Sequence, residues 1–406
     1  MSELSYLEKL LDGVEVEWRN LGDTSLFEIA NNGRKPVKAS LRIAGETPYY
    51  GANNIQDYVD GYTHDGEYVL IAEDGSASLE NYSIQYATGK FWANNHVHVV
   101  RGKERVHSRF LYHYLCIVNF LPFLTGGGRA KLTKGQLIEI PVPIPCPGNP
   151  EKSLAIQSEI VRILDKFTAL TAELTAELNM RKKQYNYYRD QLLSFDEEQE
   201  KPVYLEKLLD GVKVEWLPLG EITKYEQPTK YLVKATDYHD TYTIPVLTAG
   251  KTFILGYTNE THGIYQASKA PVIIFDDFTT ANKWVDFDFK AKSSAMKMVT
   301  SCDDNKTLLK YVYYWLNTLP SEFAEGDHKR QWISNYSQKK IPIPCPDNPE
   351  KSLAIQSEIV RILDKFDTLT NSITEGLPRE IELRQKQYEY YRDLLFSFPK
   401  PETASN

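Results

Sequence analysis

The sequence predicts an α+β fold with two globular mixed α/β domains, which are separated by two long antiparallel coiled-coil helices and related by a pseudo-two-fold internal repeat. Three observations predict this fold. Blocks of sequence return almost unchanged 198 or 199 residues later, two unlike segments lie between these blocks, and one repeated block carries apolar residues at heptad spacing.

The repeated blocks, which we call the frame, are far better preserved than the segments between them. The pairs are Tyr6–Trp18 with Tyr204–Trp216, Ile144–Phe167 with Ile343–Phe366 and, approximately, Arg181–Phe195 with Arg384–Phe398. The first pair is identical at 12 of 13 positions and the second at 23 of 24. Tandem duplication with drift would erode all parts alike, so the contrast favours one scaffold that presents two separately chosen surfaces.

The pattern divides the chain into frame segments and two variable domains. The frame takes 1–18, 144–203, 204–216 and 343–406, and the variable domains take 19–143 and 217–342. A long helix is expected in 144–203 and another in 343–406.

The composition is typical of a folded protein. The 406 residues are 42% hydrophobic and 12% aromatic, which excludes a disordered chain. No apolar run approaches the roughly 18 residues of a membrane span, and the first residues lack the apolar core of a signal peptide. Four cysteines without a CxxC pair favour neither a disulfide scaffold nor a zinc site. We therefore expect a soluble protein of a reducing compartment.

The net charge of −8 argues on its face against a nucleic-acid partner. The charge is unevenly placed, however, because segments 19–140 and 217–341 hold 13 and 15 basic residues against 12 and 14 acidic ones, which makes each net +1. The rest of the chain holds 19 basic and 29 acidic residues, a net charge of −10. The acidity belongs to the frame, so the objection to a DNA partner weakens.

Each long helix has a start signal. Asn149-Pro150-Glu151 and Asn348-Pro349-Glu350 combine a capping amide, a proline at the first helical position and an acid at the positive end of the helix dipole. About 40 helical residues at ~1.5 Å each predict a first helix of roughly 60 Å. In the second copy, Gly376-Leu377-Pro378 predicts a kink or a break.

Apolar residues recur in steps of three and four after each cap, as in a coiled-coil seam. The seam residues are Ile156, Ile160, Ile163, Phe167, Leu170, Ile355, Ile359, Ile362, Phe366 and Leu369. One amphipathic helix cannot bury such a stripe alone, so we expect the two helices to pack against each other. The alternative is that each helix packs on its own adjacent domain.

The first helix contains a four-residue unit, TAEL, twice in succession. The unit comprises Thr171, Ala172, Glu173 and Leu174, followed by Thr175, Ala176, Glu177 and Leu178. One unit adds about one helical turn, near 6 Å, which suits a length adjuster in a spacer. A neutral helical filler is the alternative.

Basic and amide side chains of the variable segments are candidate DNA contacts, because Arg and Lys bind phosphate or guanine and Asn and Gln bond adenine. The candidates are Arg34, Lys35, Lys38, Asn53, Asn54, Gln56, Asn94, Asn95, Arg129, Lys131, Lys134, Lys230, Lys251, Asn259, Asn282, Lys283, Lys329, Arg330, Gln331 and Lys339. Each also has a plainer interpretation, since basic clusters are usually solvated surface and Asn is a common turn residue.

The chain lacks the motifs of common enzyme classes. There is no proline pair for the [DNS]PP[YFW] motif of amino-methyltransferases, no P-loop, and no GxGxxG, GxSxG or HExxH. His96-Val97-His98 lacks a third ligand and is interpreted as two ordinary strand histidines. Asp276-Asp277 and Asp303-Asp304 are interpreted as turn residues. We therefore predict no catalytic residue and no metal site.

The motifs IPCPGNPEKSLAIQSEIVRILDKF, TAELTAEL and KQYNYYRDQLLSF resemble those of specificity (S) subunits of type I restriction-modification systems, closest to the IC subfamily. In the first variable domain, YYGANNIQDYVDGYTHDGEYVLIAEDG, WANNHVHVV and GGGRAKLTKGQLIEIPVPIP resemble a target-recognition domain. The resemblance covers essentially the whole chain. It departs from symmetry where Gly376-Leu377-Pro378 replaces the TAEL run.

The resemblance implies a non-catalytic DNA-sequence specificity subunit of the cytoplasm. Each variable domain would read one half of a bipartite, asymmetric site in double-stranded DNA, and the helical spacer would set the gap. The frame would hold two methyltransferase (M) subunits and through them the restriction (R) subunits. This chain would bind no cofactor, because S-adenosylmethionine, ATP and Mg are used by the partner subunits. A catalytic nuclease or methyltransferase and a coiled-coil protein-interaction adaptor without DNA reading are the rival interpretations.

Overall fold

The computed structural model describes residue 10 and residues 13–126, 130–195, 203–209, 211–234, 238–248, 252–320, 330–372 and 375–399. The chain divides into two compact units, of which the first comprises Met1–Leu174 and Glu380–Asn406 and the second Thr175–Arg379. Each unit contains one variable domain. Among the helices described, none is long and apolar enough to cross a membrane.

The variable domain of the first unit is built on two four-stranded sheets. The strands of the first unit are β1 Val16–Asn20, β2 Phe27–Ile29, β3 Ala44–Tyr50, β4 Ile55–Val59, β5 His64–Asp65, β6 Tyr68–Ala72, β7 Ile84–Ala87, β8 Lys90–Ala93, β9 Val97–Gly102 and β10 Pro141–Pro145. The helices are α1 Ser108–Leu115 and α2 Lys134–Leu137, with 3-10 turns at Asn31–Gly33, Ala39–Leu41 and Leu121–Phe123. The sheets have the orders β2-β9-β6-β7 and β4-β3-β8-β5, and the frame strands β1 and β10 pair antiparallel.

The first frame helix, α3, runs over Pro150–Ser194, which is 45 residues. It begins where the sequence predicts, because the side-chain oxygen of Asn149 accepts a hydrogen bond from the N–H of Lys152 at 3.0 Å. The two TAEL units lie inside this helix, and the division between the compact units falls between Leu174 and Thr175, between one TAEL copy and the next.

The second unit repeats the plan of the first. Its strands are β11 Val214–Pro218, β12 Thr223–Glu226, β13 Ile244–Leu247, β14 Ile254–Thr258, β15 Val272–Asp276, β16 Asn282–Val285, β17 Lys290–Ala291, β18 Met296–Ser301 and β19 Lys340–Pro344. Its short helices are α4 Val203–Leu209, α5 Leu219–Ile222, α6 Leu309–Leu316 and α7 Gln331–Ser334, with 3-10 turns at Pro228–Tyr231 and Tyr336–Gln338.

The two variable domains share one topology although their sequences are unlike. The order β2-β9-β6-β7 of the first corresponds to β12-β18-β15-β16 of the second. The other sheet has four strands in the first domain and three, β14-β13-β17, in the second. In it β3 pairs in parallel with β8, and β13 pairs in parallel with β17. The central strands β6 and β15 are buried at every position. Unlike sequences can form the same topology, because a core needs apolar residues of suitable volume rather than identical ones.

The second frame helix is interrupted, as the sequence predicts. It consists of α8 Pro349–Asn371, capped by the Asn348 side chain, and α9 Gly376–Leu395. Gly376 has a φ of +73°, and a Cβ at this position would collide with the carbonyl oxygen of Thr368. Glycine tolerates both the positive φ and the lack of room for a Cβ, so this residue allows the chain to restart the helix after the interruption.

The frame helices pair antiparallel within each unit. In the first unit the ring of Phe167 stacks on the ring of Tyr391 of α9, with the ring centroids 5.2 Å apart. The carbonyl oxygen of Pro399, beyond α9, accepts a hydrogen bond from Trp18 Nε1 at 2.8 Å, and Trp18 pairs with β10 just before α3 begins. In the second unit Tyr188 of α3 stacks on Phe366 of α8 at 5.5 Å.

The buried face of these helices differs in part from the predicted seam. Ile156, Ile160, Ile355 and Ile359 are buried as predicted. Ile163, Phe167, Ile362, Phe366 and Leu369 are half-buried. Leu164 and Leu363, which the heptad omits, are fully buried, whereas Leu170 is 36% exposed. The cause is that the start of each helix also packs on its own domain, so part of the alternative packing applies.

Candidate nucleic-acid interface

A polar cluster marks the end of strand β6. Glu73 follows the strand directly, and its carboxylate pairs with Arg34 at 2.5 Å and with Lys131 at 2.9 Å. Its carbonyl oxygen accepts a hydrogen bond from the N–H of Leu132 at 2.8 Å. Burial alone would raise the pKa of Glu73, but the hydrogen bonds from Arg34 and Lys131 lower it below its usual value. The carboxylate therefore ties the segment around Lys131 to the sheet.

His98 of strand β9 completes the cluster. Its ring is fully buried, with Nε2 2.7 Å from the carbonyl oxygen of Leu132 and Nδ1 2.9 Å from the side-chain nitrogen of Asn31. Because a carbonyl oxygen only accepts, Nε2 carries the proton and Nδ1 accepts from the amide. Burial lowers the pKa of His98, which favours the neutral ring.

A cavity with a volume of about 770 Å³, which we call the β6 concavity, opens beside this cluster. Its polar lining includes Asn53, Gln56, Asp74, His96 and Lys131. His96 Nδ1 lies 2.5 Å from the Asp74 carboxylate. Gln56 is exposed, and its amide makes no hydrogen bond to the described residues. The structure thus brings three predicted contacts together, namely Asn53, Gln56 and Lys131.

Other predicted amides of this domain are engaged internally to different degrees. Asn53 donates to the carbonyl oxygen of Gly75 at 2.9 Å and accepts from the N–H of Ala77 at 2.8 Å, so both ends of its amide hold a loop. Asn94 is buried and accepts from the N–H of His96 at 2.8 Å. Among the predicted amides, Asn54 and Asn95 are exposed and lie outside the concavity.

The predicted cations of this domain also differ in how exposed they are and in how they bond within the protein. Arg34 is 18% exposed and donates to the carbonyl oxygens of Val97 at 2.9 Å and Asn31 at 3.1 Å, besides its pairing with Glu73. Lys134 is exposed at the start of α2. Arg129 lies outside the described residues.

Lys35 and Lys38 line a second cavity of about 430 Å³ in the first domain. Lys35 Nζ lies 5.9 Å from the centroid of the Trp92 ring. Arg42, which the sequence did not single out, stacks over Tyr49 at 4.1 Å. Two cations of this cavity therefore lie over aromatic rings, which is a favourable cation–π arrangement.

The second domain holds an equivalent cluster at the end of strand β15. Asp277 and Lys297 are both fully buried, with Nζ and Oδ2 3.1 Å apart. Asp277 also accepts the N–H of Trp332 at its side chain (3.0 Å) and the N–H of Gln331 at its carbonyl oxygen (2.9 Å). The Lys297 ammonium lies 5.1 Å from the Tyr225 ring. By strand register Asp277 corresponds to Glu73 and Lys297 to His98.

The remaining predicted contacts of this domain lie at several places. Asn282 and Lys283 begin β16, beside Phe275, and Arg330 and Gln331 lie where Asp277 anchors α7. Lys230, paired with Glu226 at 3.0 Å, and exposed Asn259 lie near the smaller sheet. The Lys339 ammonium lies 5.2 Å from the Tyr336 ring. The predicted residues Lys251 and Lys329 lie outside the described residues.

The frame attaches to both domains through one set of contacts. The buried Gln157 of α3 donates to the carbonyl oxygen of Arg105 at 3.2 Å and accepts the N–H of His107 at 2.9 Å. Gln356 of α8 does the same with Lys306 at 3.0 Å and Leu308 at 2.9 Å. These hydrogen bonds reach main-chain atoms, so they do not depend on the side chains that a domain carries.

A second contact fills equivalent positions with different side chains. His113 Nε2 lies 2.8 Å from Asp165 of α3 in the first unit. In the second unit the Tyr314 hydroxyl donates to Asp364 of α8 at 2.5 Å. Burial lowers the pKa of His113, although the hydrogen bond with Asp165 opposes the shift.

Replacement of His113 by tyrosine is expected to make the first unit less sensitive to acid. Since the folded-state pKa of His113 is lowered, the unfolded chain takes up its proton first, and stability is lost as the pH falls below about 6.5. One such histidine lowers the free energy of unfolding by up to about 1.4 kcal/mol for each pH unit in that range. Urea unfolding between about pH 7.5 and pH 5 measures the effect. The reciprocal Tyr314→His variant should gain acid sensitivity, and equal pH profiles for all three proteins would contradict this account.

Sequence reasoning missed the buried anchors of both domains. Glu73 is not among the residues that the sequence predicts to be functional, and Asp276-Asp277 is predicted to be a pair of turn residues. The turn role holds for Asp276, which accepts the N–H of Phe278 at 2.8 Å, but Asp277 is an interior ion-pair partner. The available signal is an acid next to a strongly apolar run, since Glu73 follows YVLIA and the pair Asp276-Asp277 follows VIIF. His96 and His98 belong to no group of three potential metal ligands among the described residues.

Comparison with known proteins finds relatives over most of the chain. A family model described as "Type I restriction modification DNA specificity domain" matches residues 14–181 and 212–383. The type I restriction enzyme EcoR124I/EcoR124II specificity subunit of Escherichia coli is 89% identical over 199 residues, 49% of this chain and 48% of that protein. That match therefore spans about half the length of the relative.

Two further comparisons extend over nearly the whole chain. A putative type I restriction enzyme specificity subunit of Haemophilus influenzae is 47% identical over 97% of this chain and 98% of its own length. The crystal structure of a type I restriction-modification system S subunit from M. genitalium has a TM-score of 0.65 at 15% identity and covers 96% of this chain and 98% of that one. The latter likeness shows a shared fold.

Proposed function

Since the chain belongs to the family of type I restriction-modification specificity subunits and has two target-recognition domains, we propose that each domain reads one half of a bipartite, asymmetric site in double-stranded DNA. Relatives of this chain are specificity subunits. We accordingly propose that the chain selects the sequence and that the chemistry belongs to its partners.

The observation that carries this proposal is one duplicated frame bearing two domains of the same topology but with unlike polar edges. Each domain anchors a cationic segment to the end of its central strand, through Glu73 in the first and Asp277 in the second. A common topology presents each edge in the same way, while unlike side chains there allow unlike sequences to be read.

Sequencing of methylated DNA from cells that carry the complete system tests the proposal. We expect one asymmetric motif made of two specified parts with an unspecified gap between them. Methyl transfer by the isolated chain would support the rival enzyme interpretation. DNA binding that is absent even with partners present would support the adaptor interpretation.

The partners in this proposal are two M subunits on the frame and R subunits recruited through them. The duplicated frame supports two equivalent attachment sites, because its exposed surface recurs in both copies. S-adenosylmethionine, ATP and Mg would be used by those partners rather than by this chain, and the complex would act in the cytoplasm, where the DNA is.

Insertion of one further TAEL unit after Leu178 is expected to lengthen the unspecified gap and leave both specified parts unchanged. One unit adds four helical residues, about 6 Å, or nearly two base pairs at ~3.4 Å each. A methylation-site map of the variant measures the gap. Insertion of four residues between Glu375 and Gly376, ahead of α9, serves as the comparison, and an unchanged gap in the TAEL variant would refute the spacer role.

A further inference from the structure

We propose that Gln56 and Lys131 read base edges in the first half-site, and that Glu73 is the positioning residue that holds Lys131 for this task. The inference rests on the proposed function and names the reading side chains of one domain. It starts from a difference among the polar groups that line the β6 concavity.

Most of these groups are already satisfied by neighbours. The amide of Asn53 uses both of its ends to hold a loop, and Asp74 and His96 pair with each other. Gln56 differs, because it is exposed and its amide makes no hydrogen bond to the described residues. A glutamine amide offers one acceptor and two donors, the set that bonds adenine N6 and N7 in the major groove.

Lys131 is the cation of the concavity. Its ammonium is held 2.9 Å from Glu73, while its side chain remains 45% exposed. An ammonium carries three donors, so pairing with one carboxylate leaves donors for the O6 and N7 acceptors of guanine. Arg34, by contrast, donates to Glu73 and to carbonyl oxygens and is 18% exposed.

Glu73 is fixed more firmly than the lysine it holds. It follows a strand that is buried at every position, and both Arg34 and Leu132 bond to it. A flexible lysine held by such a group loses less conformational freedom when it binds, which sharpens discrimination between bases.

The test compares methylation-site maps of the complete system with Gln56→Ala and Lys131→Ala. Each variant is expected to relax one position of one half-site by about 10-fold or more, with the other half-site unchanged. Lys90→Ala, an exposed lysine of the same domain outside the concavity, is the matched control and should leave the map unaltered. Unchanged maps for both variants, or uniform weakening at every position, would overturn the inference.

The Glu73→Gln variant distinguishes a role of Glu73 in positioning Lys131 from a role in the stability of the domain. It should relax the same position as Lys131→Ala, and the double variant should lose no more than Lys131→Ala alone, because both act through one contact. Additive losses, or relaxation at unrelated positions, would overturn the positioning role. A wild-type map without a two-part motif would instead defeat the proposed function itself, so the two failures are distinguishable.

Discussion

Exchange of residues 19–140 for the corresponding domain of another type I specificity subunit is expected to replace one half of the methylated sequence and leave the other half unchanged. The physical reason lies in the attachment of the domains to the frame. Gln157 bonds main-chain atoms of Arg105 and His107, and Gln356 bonds the same kind of atoms in an unlike domain. A different domain can therefore dock without a matching set of side chains.

The exchange places one requirement on the incoming domain. It must supply a hydrogen-bond donor to Asp165, a role that His113 fills in the first unit and that Tyr314 fills toward Asp364 in the second. Methylation-site sequencing of the chimaera reads the outcome, and the reciprocal exchange of 217–341 is its control. If both halves of the sequence changed in either chimaera, independent reading by the two domains would be refuted.

Substitution of Lys297 by alanine is expected to destabilise the second unit by about 3–5 kcal/mol, because it leaves the Asp277 carboxylate buried without its partner. The carboxylate also holds the N–H of Trp332, so the anchored α7 segment should loosen with it. Urea unfolding followed by tryptophan fluorescence measures the loss.

Two comparisons separate the loss of a buried ion pair from the loss of a lysine. Lys131→Ala breaks a pair that is partly exposed and should cost less than about 1 kcal/mol. The double variant Asp277→Asn with Lys297→Met leaves no unpaired charge and keeps an acceptor for Trp332, so it should recover most of the stability. Equal losses for Lys297→Ala and Lys131→Ala would contradict a stabilising interior pair.

The frame was predictable because its signals are local. The asparagine caps, the start of α3 at Pro150 and the interruption before Gly376 each depend on residues within about one helical turn, and the structure has all three. The heptad pattern was less reliable. It passed over Leu164 and included Leu170, because a single helix face had to serve both its own domain and a second helix.

The variable domains were predictable as folded units but not in their shared topology. Their sequences agree only in the burial pattern of equivalent strands, which becomes visible once the registers of β6 with β9 and β15 with β18 are known. Glu73 and Asp277 are likewise equivalent only through that register.

The sequence by itself determined the family, the duplicated frame, the two helix starts and the interruption of the second helix, because these follow from identity and from spacings of a few residues. Only the tertiary structure decided which candidate contacts share a surface. Gln56 of β4 and Lys131 are distant in the chain, and both line the β6 concavity, where Glu73 at the end of β6 holds Lys131. Folding also decided which amides and cations form hydrogen bonds within the protein. Whether a side chain does so depends on its neighbours in space and not on its residue type.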